Sequence, residues 1–298
     1  MSDLHGDIDW EGLLLTIKYG KCTPFLGAGA CYGVLPLGSS VAKEWAEKYK
    51  YPLEDSHNLA RVAQFVAVER GAMRPKYEIK EGFEKVGSPD FNDPLEPHGL
   101  LADLPMPVYI TTNYDSFMVQ ALKHRNKNPR QELCRWNSVI KDYPSVFEEE
   151  PDFKPSIQEP IVFHLHGHID VPESLVLTED DYLDFLLNIS RDQDLIPKRI
   201  RRAFTETSLL FIGYQLADWN FRVIFRSLIS YLEISTRASH VSVQLVPISD
   251  NATDEQKTKA RDYLDNYFDK LEVNVFWGTG REFVSDLRKQ WEASKVGN

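Results

Sequence analysis

Phe25-Leu26-Gly27-Ala28-Gly29-Ala30-Cys31, near the N-terminus, is the stretch on which the reading of the fold turns. Thr23 to Leu26 are apolar or β-forming and read as a short buried strand. The two glycines then let the backbone turn tightly and approach a neighbour where a Cβ would clash. A strand that breaks into a glycine turn and a helix presents backbone N–H groups to a phosphate in doubly wound α/β folds. The same spacing also suits a tight turn with no ligand, and this stretch alone does not choose between them. No third glycine completes the dinucleotide fingerprint, and the acid expected about twenty residues later is replaced by a helix with Glu44 and Glu47 on its surface.

Composition narrows the field. The 298 residues are 42% hydrophobic and 27% charged, the balance of a globular protein, and the net charge of −11 argues against a broadly basic nucleic-acid surface. Direct nucleic-acid binding is therefore not expected. No apolar run approaches the roughly 20 residues that span a bilayer, and Met1-Ser2-Asp3-Leu4-His5 lacks a signal-like pattern, so a cytoplasmic protein without membrane contact is expected. Cys22, Cys31 and Cys134 have no paired spacing, which leaves neither a disulfide framework nor a four-cysteine zinc site.

Strand patterns recur at Val108–Thr112, Leu133–Trp136, Ile161–Leu165, Leu209–Ile212, Val241–Val246 and Val273–Phe276. Helical patterns lie between them, over Ile8–Tyr19, from Ser39 or Ser40 to Tyr49, and over Asn58–Arg70, with a weaker one over Met73–Val86. Others begin at Phe117, Thr178, Asp194, Asp218, Asp254 and Arg281. Asp90–Pro97 reads as a loop. This alternation predicts an α/β fold: a Rossmann-like, mostly parallel sheet with helices on both faces. One domain over 1–298 is expected, with helical insertions at about 40–105 and 172–206.

Four strands end in polar or glycine-containing segments: Gly27-Ala28-Gly29, Thr112-Asn113-Tyr114-Asp115, His166-Gly167-His168 and Gly213-Tyr214-Gln215. A parallel sheet gathers its carboxyl ends on one edge, where ligands bind. In this order the motifs, with the later Gly213, Leu216 and Asp218, resemble the sirtuin family, closest to its bacterial anti-phage-defence branch. The resemblance covers about residues 20–230 and includes Thr111, Asn113, Asp115, His166 and the Asp218-Trp219-Asn220-Phe221-Arg222 continuation. It implies that the amides of Gly27, Ala28, Gly29 and Ala30 hold the NAD pyrophosphate, with Thr111 beside the site. Asn113 and Asp115 then meet the nicotinamide ribose and carboxamide, His166 acts as base, and Gly213, Tyr214 and Gln215 border the adenosine half. A histidine of ordinary pKa, about 6.5, suits that base near neutral pH.

Three departures accompany the resemblance, and the first two sharpen the expectation. Sirtuin deacylases carry two Cys-x-x-Cys zinc pairs after their His-Gly, and no cysteine lies between His166 and Leu209. Leu35-Pro36-Leu37 stands where the family has a Phe-Arg segment, and Cys31 stands where it has serine. The expected function is an NAD glycohydrolase without zinc that consumes NAD as substrate in anti-phage defence. Protein deacylation or ADP-ribosyl transfer, and an NAD- or ADP-ribose-binding assembly subunit, are the alternatives. The branch resemblance implies gating by homo-oligomerisation or by a partner, either a HerA-type hexameric ATPase or an Argonaute-type protein. His164, His166 and His168 would share one face if their strand continued, and with no acidic partner pattern they are not read as a metal triad. The run Lys198–Arg202 reads as a solvated helix face, Asp218 as a helix cap, and Trp219, Phe221 and Phe225 as core.

Overall fold

The computed structural model describes residues 8–214, 240–244, 253–270 and 272–296. Seven strands form one sheet in which every pairing is parallel: β1 (Cys22–Leu26), β2 (Val108–Thr111), β3 (Arg130–Leu133), β4 (Ile161–His164), β5 (Ser208–Ile212), β6 (His240–Gln244) and β7 (Val273–Trp277). The spatial order is β3-β4-β2-β1-β5-β6-β7. The side chains explain why such a sheet forms. Phe25, Ile110, Phe163 and Phe211 point into the core on one face, and Leu26, Tyr109, Val162 and Ile212 into the core on the other. A parallel strand is covered on both faces, so its sequence is a continuous apolar run rather than an alternation.

The chain leaves β1 toward β2, reaches the edge at β3, returns through β4 and then crosses to β5 on the far side of β1. The carboxyl ends of β1 and β5 therefore feed connections that diverge, and a crevice opens at that switch point.

Ahead of β1 lies α1 (Trp10–Lys18), and a 3-10 turn (Ala28–Cys31) follows it. The interval to β2 holds α2 (Gly38–Tyr49), α3 (Leu59–Arg70), α4 (Arg74–Glu84) and α5 (Pro97–Asp103). Next come α6 (Phe117–His124) and a short α7 (Val146–Glu149). Between β4 and β5 lie α8 (Glu179–Arg191) and α9 (Lys198–Glu206); α10 (Asp254–Asp269) and α11 (Gly280–Val296) flank β7. A separate apolar cluster, with Trp45, Val62, Val66 and Ile79 against Leu175 and Leu177, joins α2–α4 to the segment before α8. Among the described residues, no helix is long and apolar enough to cross a membrane.

Several expectations are corrected. α2 starts at Gly38 after Leu37, without a side-chain cap, so neither Ser39 nor Ser40 caps it. The loop expected over Asp90–Pro97 is present as far as Glu96; what was not expected is α5 from Pro97, whose Leu100, Leu101 and Ala102 are buried. The third strand is Arg130–Leu133, not Leu133–Trp136: its register on β4 is set by backbone pairing, and Trp136 instead donates its indole N–H to the Ser174 carbonyl. The helix expected from Asp194 divides into a 3-10 turn (Gln193–Leu195) and α9, because Pro197 lies between them. On α9, Ile200, Ala203 and Phe204 are buried while Arg201 pairs with Asp194 and Arg202 with Glu206. Gln215, Leu216, Asp218, Trp219, Phe221, Phe225 and the helix expected after Asp218 lie outside the described residues.

Candidate active site

At the switch point the two-glycine turn is packed against the end of β5. The N–H of Gly27 donates to the Ile212 carbonyl (2.9 Å), that of Gly29 to the Gly213 carbonyl (2.9 Å) and that of Ala30 to the Gly27 carbonyl (2.9 Å). Gly213 has φ +82°, and a Cβ there would lie 2.2 Å from the Ala30 nitrogen. Both segments need glycine because two backbones meet with no room for a side chain. Of the turn's amides, that of Ala28 is the one outside these bonds, and Ala28 is exposed.

From the end of β2, Thr111 Oγ1 accepts the Asn113 N–H (2.9 Å). Asn113 does not cap α6. Its Nδ2 reaches back to the Gly27 carbonyl (3.0 Å) and to Cys31 Sγ (3.2 Å). Asp115 is buried; its Oδ1 accepts the Phe117 N–H (2.8 Å) and its Oδ2 accepts the Cys31 thiol (3.3 Å). Burial and the adjacent Asp115 carboxylate push the Cys31 thiol well above its ordinary pKa, which keeps it a protonated donor. Tyr214 closes the floor, with its hydroxyl on the Leu26 carbonyl (3.0 Å) and on Thr112 Oγ1 (2.5 Å), and its ring edge-on to Phe25.

The three histidines part company, because β4 ends at His164 and Gly167 turns the chain at φ +87°. His164 lies edge-on to His168, with centroids 4.7 Å apart, and its Nδ1 approaches the Asn113 carbonyl (3.4 Å). His168 accepts the Asp170 N–H at Nδ1 (3.2 Å), so its Nε2 carries the proton that faces Ser116 Oγ (2.8 Å). In that tautomer Nε2 donates to Ser116 and does not accept its proton. His166, 5% exposed, packs edge-on against Phe185 (4.9 Å) and Tyr182 (5.5 Å) of α8. Burial lowers both His164 and His166 to a pKa of about 3, with His168 adding repulsion at His164. The Nε2 atoms of His164 and His166 are buried without a hydrogen-bond partner. An orphaned buried nitrogen costs free energy, so each of these atoms has a hydrogen bond still to make.

Residues of the insertions escaped sequence reasoning. Tyr182 and Phe185 are ordinary positions of an amphipathic helix, and nothing local marks them as neighbours of His166. Glu96 and His98 were hidden because their segment reads as a loop, yet the His98 ring bonds Glu96 Oε1 at 2.6 Å beneath Cys31.

Residues 107–271 match the family model described as SIR2-like domain, and the chain belongs to that family. Among curated proteins it is similar to one named NAD(+) hydrolase ThsA from Enterococcus faecium, at 25% identity over 92% of this chain and 51% of the relative. A relative of the same name from Cytobacillus dafuensis is 28% identical over 59% of this chain and 31% of its own length. The chain thus spans about half or less of these relatives. A solved structure titled "Structural Basis for the Mechanism and Regulation of Sir2 Enzymes" aligns over 96% of this chain and 98% of its own, at TM-score 0.41 and 11% identity. The fold class rests on the strand order above.

Proposed function

We propose that the chain cleaves NAD at the nicotinamide–ribose bond as a hydrolase, giving nicotinamide and ADP-ribose, in the setting of anti-phage defence. The observation that carries this is the gathering of Gly27–Ala30, Asn113, His166 and Gly213 at the carboxyl edge of four adjacent strands. Family membership and relatives named as NAD(+) hydrolases support it.

In this reading water attacks the ribose C1′ as the C–N bond to nicotinamide breaks, and one proton is released. The leaving group departs neutral, so the transition state gathers positive charge on the sugar. Asn113, held by Gly27 and Cys31, keeps its Oδ1 for the ribose side. Burial lowers His166 to a pKa of about 3, well below the ordinary value expected of a base near neutral pH. The ring is held neutral with its orphaned Nε2 left to bond a ribose hydroxyl or water, and in this reading the bound substrate has to raise its basicity before a proton moves to it. The exposed Ala28 amide is the turn's donor for the pyrophosphate. Constitutive cleavage would drain a cell of NAD, so gating by self-association or by a separate partner chain belongs to the same proposal.

The test is to incubate the purified chain with NAD over a range of protein concentrations and quantify nicotinamide and ADP-ribose. We expect equal release of both, with His166→Ala lowering the rate by about 10²-fold or more while its melting temperature shows that it is folded. No release at any concentration, with or without candidate partner chains added, or an unchanged rate in a folded His166→Ala, overturns the reading. A rate per chain that rises with concentration, in step with a rise in mass by light scattering, identifies self-association as the gate.

A further inference from the structure

Below the glycine turn lies a buried cluster whose members come from three separate elements. Cys31 ends the 3-10 turn, His98 sits in the first turn of α5 and Asp115 follows β2. One ligating atom from each, sulfur, ring nitrogen and carboxylate oxygen, lies within 4.8 Å of the other two, and all three residues are buried. We propose that Cys31, His98 and Asp115 form a divalent-cation site of the zinc class, with Glu96 holding His98 from behind. It is a single-ion site and not the paired-cysteine module, and it stands whether or not the chain cleaves NAD.

Four features support it. Sulfur, imidazole and carboxylate in a set of three, with one position left over, is a ligand set that zinc accepts. Zinc–sulfur and zinc–oxygen bonds of about 2.3 and 2.0 Å at tetrahedral angles put S and O about 3.5 Å apart, and Cys31 Sγ and Asp115 Oδ2 are 3.3 Å apart. That edge is thus set to within a few tenths of an ångström, and a His98 ring nitrogen lies within 4.8 Å of the sulfur and of a carboxylate oxygen.

The ligands are also oriented from outside. The Nδ1 of His98 is tied to Glu96 Oε1, whose partner oxygen takes the Gly99 N–H, which leaves Nε2 to bind; Asp115 is fixed through Oδ1 by the Phe117 N–H. A carboxylate behind a histidine is the usual support of a metal ligand. Finally, two carboxylates and a thiol face one imidazole, and among the described residues no lysine or arginine pairs with Glu96 or Asp115. On binding, the cation takes the place of the thiol hydrogen between Sγ and Oδ2, and that proton passes to solvent.

The experiment uses the whole chain, stripped with a chelator and titrated with Co²⁺ and then Zn²⁺. We expect one equivalent of cobalt with a sulfur-to-cobalt charge-transfer band, one proton released per ion, and displacement by zinc. Cys31→Ser should abolish the band, Glu96→Gln should weaken binding about 10–100-fold, and His98→Gln, which removes a ligand, should weaken it more than Glu96→Gln does. Cys22→Ser and Cys134→Ser, which alter thiols outside the cluster, should leave the band unchanged. No stoichiometric binding by folded protein, or a band that survives Cys31→Ser, overturns the proposal. If Cys31→Ser does not fold, unchanged affinity in folded His98→Gln and Glu96→Gln overturns it equally. None of these readouts depends on NAD turnover.

Discussion

A methyl group added at Gly213 would sit 2.2 Å from the Ala30 nitrogen and 2.6 Å from the Gly27 carbonyl oxygen, on a backbone with φ +82°. The obstacles are backbone atoms, which cannot swing aside, so relief requires β1 and β5 to separate at their carboxyl ends. Gly213→Ala should therefore cost ~2 kcal/mol or more, read as a lowered urea midpoint. Gly82 makes the contrast: it lies inside α4 with nothing within 4 Å of an added Cβ. Gly82→Ala should stabilise by about 0.5–1 kcal/mol. Equal effects at the two positions would refute the close-approach reading of Gly213. The pair also shows what a sequence can reveal at this scale. That glycine follows β1 and β5 is plain, but only the packing shows that the two glycine segments serve each other, and that three of the turn's amides are committed to carbonyls.

Among the elements, α8 is the one most clearly written in its sequence. Thr178 caps it, and Asp181 completes a capping box by accepting the Thr178 N–H, the pattern that Thr178 followed by three acids announces. Thr178→Ala should cost about 1 kcal/mol. Lys76 of α4 is the part the sequence conceals: its Nζ lies 2.9 Å from Asp181 Oδ1, with side chains 8% and 14% exposed. Lys76→Ala should cost ~2 kcal/mol, below the range for a fully buried pair because Asp181 keeps its backbone donors. A double-mutant cycle with Thr178→Ala, followed by urea unfolding, would show coupling through Asp181, and strict additivity would refute it. The same divide between local and distant signals explains the misplaced third strand. Arg130, Gln131 and Glu132 look like loop residues, and their strand character comes from β4 alongside them. Glu96 and His98 were invisible for a related reason: their meaning depends on Cys31 and Asp115, which belong to other elements.

For the molecule as a whole, the alternation of strands and helices made the parallel sheet legible, whereas strand order was not, since apolar runs look alike wherever they sit. Burial at the core has a collective effect on acid stability. His164 and His166 are lowered to a pKa of about 3, and His240 to about 4, chiefly by burial. Unfolding restores their ordinary value near 6.5, so below that pH the unfolded chain binds protons that the folded chain does not. Stability is full above about pH 6.5 and falls as the pH drops toward 4, by up to ~1.4 kcal/mol per unit for each histidine. Urea midpoints between pH 7 and 4 should show this fall, and His166→Gln should make it shallower. A slope unaffected by His166→Gln would remove that histidine from the account.

The register of β1 on β5 carries a consequence for how the chain is made. Cys22 pairs with Ser208 and Leu26 with Ile212, and the hydroxyls of Thr23 and Thr207 meet across 184 positions of chain. At about 5–20 residues per second, a ribosome takes roughly 10–40 s to deliver the second strand after the first. Throughout that interval one edge of β1 has no neighbour, and the glycine turn has nothing to close against. A nascent chain stopped before residue 208 should therefore be protease-sensitive around β1, which places the closing of the crevice after the emergence of β5.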